Sequence, residues 1–511
     1  TIPRHTFPTR SSCRRKTPSS RAFANKGFER VTQPRKLLER ALKDAEARLR
    51  NRPGSVPIMF ERARLLDRLG RTDDARLAYV EILQRDASHF GALNDLGMLL
   101  FKGGLRQDAF TCFNAAVAAH PREAIGHANL GFVMLRAGET ERAREHYETA
   151  VSLDPSNAEA RRGLALALEA LGEREDAAVH REIGFGSAPL VELPYRGEGR
   201  GVRVLLLVRA GPGNVPTDRF LDDRTFAVSK LVADSYRPSL SLPEHDLVFN
   251  AIGDADVKDD ALVRAAEISE RSQAPVINAP AAVAVTGRVR NSQRLRGIDG
   301  VVVPQAAAYA KSVLLAPGAI DRLDSDGFHL PFLLRAAGFH TGEHFERVER
   351  HEDLGPTAAR LPGDDLLAIE FAGVRSADGN ARKYRVLFID GQLYPLHLAI
   401  SPNWKVHYFS AAMADHAERR AEEERFLTDM TAALGARAVG ALERIAAALD
   451  LQYAGADFTV DAAGNVVLFE ANATMIVPVP DVDPRWDYRR GPVARIEDAV
   501  RAMLLTRSRR A

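Results

Sequence analysis

The stretch GADFTVDAAGNVVLFEANATM, residues 455–475, decides how the C-terminal half of the chain is read. Apolar and polar residues alternate on both sides of Ala463 and Gly464, which predicts two antiparallel strands around a turn. A two- or four-residue loop centred there sets Asp461 opposite Val466, Val460 opposite Val467 and Phe458 opposite Phe469. In that register Asp457 lies directly across from Glu470, and Asn472 shares the face of Glu470. Phe458, Val460, Val467 and Phe469 then make the opposite, apolar face. Like charges directly opposed destabilise a sheet unless something positive lies between them. Magnesium takes oxygen ligands of this kind, typically one or two carboxylates plus phosphates. The plainer alternative is a solvent-facing hairpin whose acids repel weakly in high dielectric. A loop of odd length would shift the register and remove the direct pairing.

Around this stretch lie 511 residues, room for two or three domains. A net charge of +2 offers no global attraction to nucleic acid or to an anionic membrane surface. Cys13 and Cys112 cannot by themselves build a disulfide framework or a zinc cage, and such sparse use fits a reducing cytoplasm. The apolar run at 202–208 is far too short to span a bilayer. The first 36 residues carry ten Lys or Arg against the single acid Glu29, which reads as a disordered basic leader over 1–34. A basic arm for an acidic partner is the functional alternative for that segment.

After the leader the chain repeats itself every 34 residues. Gly97, Ala109, Phe113, Ala116 and Pro121 recur as Gly131, Ala143, Tyr147, Ala150 and Pro155. One period earlier stand Ala63, Ala75, Tyr79, Ile82 and Ala87; one period later stand Ala165 and Ala177. Ala41 and Pro53 are in phase as the second helix of a leading half-repeat. Small residues let paired helices approach, aromatic residues fill the space between neighbours, and proline ends the second helix. Gly70, Gly104, Gly138 and Gly172 fall near the turn between the two helices. The pattern resembles the tetratricopeptide repeat (TPR) family over residues 35–184. That resemblance implies an all-α solenoid whose concave groove takes a peptide or protein. Docking of the array on the chain's own C-terminal half is the alternative.

The helical period stops near residue 184, and a Pro- and Gly-rich linker covers 185–200. Strands at 202–208, 246–252 and 275–278 with a helix at 258–271 predict a small parallel α/β unit. Gly211 and Gly213 lack the third glycine and the Lys-Ser or Lys-Thr ending of a phosphate loop, so they read as a tight turn. Farther on, a strand at 332–335 ends in Arg335 and a strand at 366–371 carries Glu370. A strand at 383–389 runs into the hairpin signal Asp390-Gly391, and one helix at 418–449 returns the chain to the opening stretch.

The order of these parts resembles the ATP-grasp superfamily over about residues 200–480, with an ATP-binding domain like that of glutathione synthetase. The approach from Ala441 to Asp450 into Gly455-Ala456-Asp457-Phe458, and then Glu470-Ala471-Asn472, is similar to the superfamily's path to its metal site and its Glu-x-Asn signature. The resemblance implies a pre-ATP-grasp α/β domain at 201–285, a two-lobed α+β ATP-grasp domain at 286–480 and a C-terminal segment at 481–511. It implies magnesium on Asp457, Glu470 and Asn472. Arg290 and Arg335 stand where the superfamily carries phosphate-binding lysines, a departure in head-group shape. His340 and Gly342 belong to a flexible loop over the phosphates, while Glu370 and Phe371 meet adenine and ribose. Lys383 lies near the phosphates, Arg385 steadies the transferred phosphoryl group, and His397, Trp404 and His407 wall the substrate. The implied activity is an ATP- and magnesium-dependent carboxylate–amine (or thiol) ligase working through an acyl phosphate, with the repeats recruiting a peptide or protein. A non-catalytic TPR scaffold with a degenerate lobe, and a small-molecule kinase on the same fold, are the alternatives. Neither nucleic acid nor a membrane is expected as a partner.

Overall fold

The computed structural model describes residues 35–186, 189–211, 213–257, 260–336, 344–406, 411, 413–481 and 483–509. The N-terminal part is built from nine helices among the described residues: α1 (Arg35–Asn51), α2 (Val56–Arg68), α3 (Thr72–Arg85), α4 (Phe90–Lys102), α5 (Arg106–Ala119), α6 (Ala124–Arg136), α7 (Thr140–Leu153), α8 (Ala158–Ala170) and α9 (Arg174–Gly186). They pack as successive antiparallel pairs in the phase that the 34-residue period predicts. Gly97 is where it is because a Cβ there would stand 2.7 Å from the Phe113 ring. The turns within the pairs place Gly70, Gly104, Gly138 and Gly172 at φ between +74° and +85°, where side chains other than glycine are strained. The basic leader, and Cys13 within it, lie outside the described residues.

The predicted linker is partly structured. α9 runs to Gly186, and β1 (Leu190–Glu192) pairs antiparallel with β3 (Phe226–Val232), a strand the sequence did not announce. With β2 (Val202–Val208), β4 (Leu247–Asn250) and β5 (Val276–Ile277) they form a sheet in the order β1-β3-β2-β4-β5, parallel except at the β1 edge. β2 has the predicted bounds, because a central parallel strand is buried on both faces and so reads as an unbroken apolar run. The predicted strands around β4 and β5 are shorter than expected, and helix α10 (Ala261–Glu270) begins after Lys258 and Asp259, which lie outside the described residues. Asn214 closes the turn after β2 by bonding the backbone of Arg209 and Gly211, a tight turn as expected. The repeat array docks here: a Cβ on Gly211 would stand 3.1 Å from the Glu169 carboxylate of α8.

Two further sheets follow. After α11 (Pro280–Ala284), α12 (Arg288–Arg294) and β6 (Val301–Val302) come β7 (Ala306–Ala310), α13 (Lys311–Leu314), α14 (Ala319–Ser325), β8 (Phe332–Ala336), β9 (Phe345–Val348), α15 (Leu354–Arg360) and β10 (Asp365–Glu370). Their antiparallel sheet has the order β7-β10-β8-β9. Next are β11 (Ala381–Ile389), β12 (Gln392–Ser401), α16 (Ala417–Thr428), α17 (Met430–Leu434), α18 (Ala436–Leu449), β13 (Tyr453–Val460) and β14 (Val466–Asn472). This sheet runs β12-β11-β13-β14-β6. Asp390 and Gly391 both have positive φ, the geometry that matches a two-residue turn to strand twist. The single helix predicted at 418–449 is three helices. Asp429 accepts from the Ala432 N–H to start α17, and Gly435 at φ +83° separates α17 from α18. The last helix, α19 (Arg490–Ser508), inserts Val493, Ile496, Val500 and Leu504 into a core shared with Leu206, Phe249, Leu387 and Tyr453. The C-terminal segment is therefore a wall between the α/β sheet and the β11–β13 sheet.

The decisive hairpin has a register that differs from the expected one at its tip. The loop is the five residues 461–465, so Val460 faces Val466, Thr459 faces Val467 and Phe458 faces Leu468. The predicted pairs Asp461–Val466, Val460–Val467 and Phe458–Phe469 do not form. The Asp461 carboxylate selects the longer loop by accepting from the N–H groups of Ala463 and Asn465 and from the Asn465 amide. A bulge at Phe469 then absorbs the slip, and Asp457 faces Glu470 after all. Phe469 leaves the expected apolar face: it is 43% exposed and lines the cavity described below.

Candidate functional site

A cavity of about 350 Å³ opens between the β7-β10-β8-β9 sheet and the β11–β14 sheet, within the size range of small-molecule sites. β8 and β9 contribute Arg335, Phe345 and Arg347, while β10 and its exit contribute Glu370 and Phe371. β11 and β12 contribute Lys383, Arg385 and His397, and β13 and β14 contribute Asp457, Glu470 and Asn472. Trp404 stands beyond the end of β12. Ten of the residues singled out from the sequence thus meet around one cavity. Arg290 does not: it is exposed on α12 and is not part of the lining. His340, Gly342 and His407 lie outside the described residues.

At one end the acids are held by cations. Arg385 grips Asp457 with both edges of its fork, Nε to Oδ1 at 2.6 Å and Nη2 to Oδ2 at 2.8 Å, and Lys383 Nζ reaches Oδ2 at 2.6 Å. Burial alone would raise the Asp457 pKa, but Arg385 and Lys383 outweigh it and hold the carboxyl well below its ordinary range. Glu470 Oε1 accepts from Arg288 Nη2 at 2.5 Å and from Asn472 Nδ2 at 2.6 Å. Burial is again opposed, here by Arg288 and Arg335, and the Glu470 pKa is lowered. Arg288 also donates to Asp256 through Nη1 at 2.6 Å and through its backbone N–H. From the facing sheet the buried Arg335 completes the cationic collar; burial and the charge of Arg288 push its pKa down to about 10. It therefore stays protonated at neutral pH. The opposed carboxylates are neutralised by the chain's own guanidinium and ammonium groups.

Magnesium suits the donors in kind, since Asp457, Glu470 and the Asn472 amide offer hard oxygens on two adjacent paired strands. Asn472 Oδ1 already accepts from Thr474 N–H and Oγ1, which orients the amide. Among the described residues no group of three or more His, Cys, Asp and Glu is gathered as metal ligands, so phosphate oxygens would have to complete any coordination shell.

The other end is aromatic. Trp404 meets Phe345 and Phe371 edge-on at 5.7 and 5.8 Å, and Arg347 lies 5.0 Å from the Phe371 ring centre. Glu370 is fixed at the end of β10 by a reciprocal pair of bonds with the Gln305 backbone. His397 is buried on β12 opposite Arg385; burial, then the Arg385 charge, drive its pKa well below the ordinary value, so it is neutral.

Arg288 is the cavity residue that the sequence concealed. It lies two residues before Arg290, on the other side of a seven-residue helix. Buried Asn291, Ser292 and Leu295 mark the inward face, and counting back a turn or two from Leu295 reaches 288, not 290. Phe345 and Arg347 were hidden because β9 is a short strand with little alternation.

Similarity to known proteins falls on the helical half. Residues 60–124 match the tetratricopeptide repeat model and residues 135–172 a TPR repeat model. A MamA structure (residues 41 to the end) from Desulfovibrio magneticus RS-1 is 24% identical, covers 29% of this chain and 84% of its own, and has a TM-score of 0.27. YrrB, described as a TPR protein with an unusual peptide-binding site, is 19% identical over 29% of this chain and 77% of its own, with a TM-score of 0.27. A thermophilic TPR protein from Thermus thermophilus is 22% identical over 30% of this chain and 84% of its own, also with a TM-score of 0.27. No curated protein matches the chain. With the repeat matches and the 34-residue packing phase together, the N-terminal part is a helical repeat region of TPR type, followed by a mixed α/β region.

Proposed function

We propose that the C-terminal part is an ATP-grasp domain that uses ATP and magnesium to join a carboxylate to an amine or thiol, and that the repeats recruit a peptide or protein. One observation carries this reading: Asp457 and Glu470 face each other across paired strands in a cavity whose lining holds eight Lys or Arg against three acids. A triphosphate needs such an excess of positive charge.

Asp457, Glu470 and Asn472 would hold magnesium, which when bound supplies positive charge against the phosphate oxygens. Arg335 reaches the phosphates from the facing sheet. Arg385 and Lys383 fix the Asp457 carboxylate and present their remaining donors to the phosphoryl group in transfer. Neutral His397 backs Arg385 without adding a competing charge. A substrate carboxylate oxygen attacks the γ-phosphorus as the bond to ADP breaks; the amine or thiol then attacks the acyl carbon and phosphate leaves. No protein nucleophile is required, because aligned reactants and neutralised charge carry the reaction. We place the reaction in the cytoplasm on the chain's sparse use of cysteine. Among the described residues no helix is long and apolar enough to cross a membrane.

A second reading, a non-catalytic scaffold, is favoured by the ion pairs that neutralise both acids. Trapping with hydroxylamine separates the readings. A ligase forms a hydroxamate from ATP and a carboxylate substrate. A kinase that phosphorylates a hydroxyl releases ADP without hydroxamate. A protein that binds no ATP at millimolar concentration overturns the proposal.

A further inference from the structure

Positive charge in the cavity is not confined to the acids. In the ATP reading, on which this inference rests, the phosphates lie by Asp457 and Glu470, and the uncharged base lies by Glu370 and Phe371. Yet Arg375 and Lys405 line the Phe371 and Trp404 end, beside Arg347, whose guanidinium is already paired with Glu349. Arg375 Nη1 donates to the carbonyls of Gly379 at 2.6 Å and Pro402 at 2.8 Å, and Lys405 Nζ donates to the Phe345 carbonyl at 3.1 Å. Both residues are exposed, and among the described residues neither forms a salt bridge. Glu370, the acid next to Phe371 in the lining, is turned to the Gln305 backbone. The carbonyl contacts of Arg375 and Lys405 link the turn after β12 to the exit of β10 and to β9.

A nucleotide leaves these charges unexplained. We propose that they bind carboxylates of the second substrate, an acidic peptide whose Asp or Glu side chains run from the acid end of the cavity to the rim formed by Arg375 and Lys405. The chain supplies spaced carboxylates, the rim supplies guanidinium and ammonium donors, and Trp404 packs on the stems between them.

The chain contains two tryptophans, one of them Trp404, so its fluorescence reports occupancy of the rim without ATP or turnover. Tetraglutamate and tetraglutamine are titrated into the full chain, with Trp404→Phe identifying the cavity signal. The expected result is at least about tenfold tighter binding of tetraglutamate. That preference weakens between about 50 and about 300 mM salt, and it is lost in Arg375→Glu with Lys405→Glu. Equal affinity for the two peptides, or a preference that survives the double reversal, overturns the proposal. Tetraglutamate preference without ATP binding leaves the rim standing and the ligase reading fallen; ATP turnover without the preference does the reverse.

Discussion

His397 illustrates how single residues set the behaviour of the site. It is buried beside Arg385, and its pKa is depressed. A depressed histidine favours folding fully above its unfolded pKa and loses that contribution as pH falls through the folded value. Stability should therefore decline as pH drops below about 6.5, before the carboxylates respond. Asp457 and Glu470, also depressed, add their loss only below about pH 4. Denaturant melts of His397→Gln against pH test this: the variant should show a shallower upper limb, since His146 and His180 are depressed too, and keep the lower one. A wild-type profile flat from neutrality to about pH 5 contradicts the assignment. At this scale residue type was informative for Asp457 and Glu470, but their pairing holds through the bulge at Phe469 and not through the strand parity from which it was read. The sequence misled at Arg290, because a seven-residue helix gives too few turns to fix which arginine points inward.

Elements differ in how far they can be read. The repeats were legible because their contacts are local: Gly97 against Phe113 and Gly131 against Tyr147 each join neighbouring helices at a constant offset. Gly163 shows the same logic one helix farther on, since a Cβ there would overlap the Tyr147 ring. Gly163→Ala should cost about 1–3 kcal/mol by forcing Tyr147 out of place, seen as a lower thermal midpoint. An unchanged midpoint would mean that the α7–α8 contact is looser than described. The β13–β14 hairpin was legible only in part. Its alternation predicted the strands, but the five-residue loop and the compensating bulge at Phe469 depend on the Asp461 side chain and on the cavity that Phe469 faces. Neither is a periodic property of the strand.

For the whole molecule, the boundaries were the least legible feature. α19 looked like an appendage because its partners, in β2, β4, β11 and β13, are remote in sequence. Glu423 of α16 and Arg489 just before α19 form a buried pair at 2.6 Å, and Tyr488 donates to the same carboxylate at 2.7 Å. Arg489→Leu leaves that carboxylate buried without its cation, a loss of about 3–5 kcal/mol. Guanidinium melts should show it as an earlier transition; a transition at the wild-type midpoint rules out this clamp. The opposed acids of β13 and β14 belong, in the proposed function, to a magnesium–nucleotide site. Calorimetry of ATP binding to the full chain, with and without magnesium, tests it most directly when wild type is compared with Asp457→Asn plus Glu470→Gln. The account predicts magnesium-dependent binding in the wild type that weakens at least about tenfold in the double variant. Binding that is unchanged in the double variant, or absent from the folded wild type, contradicts it.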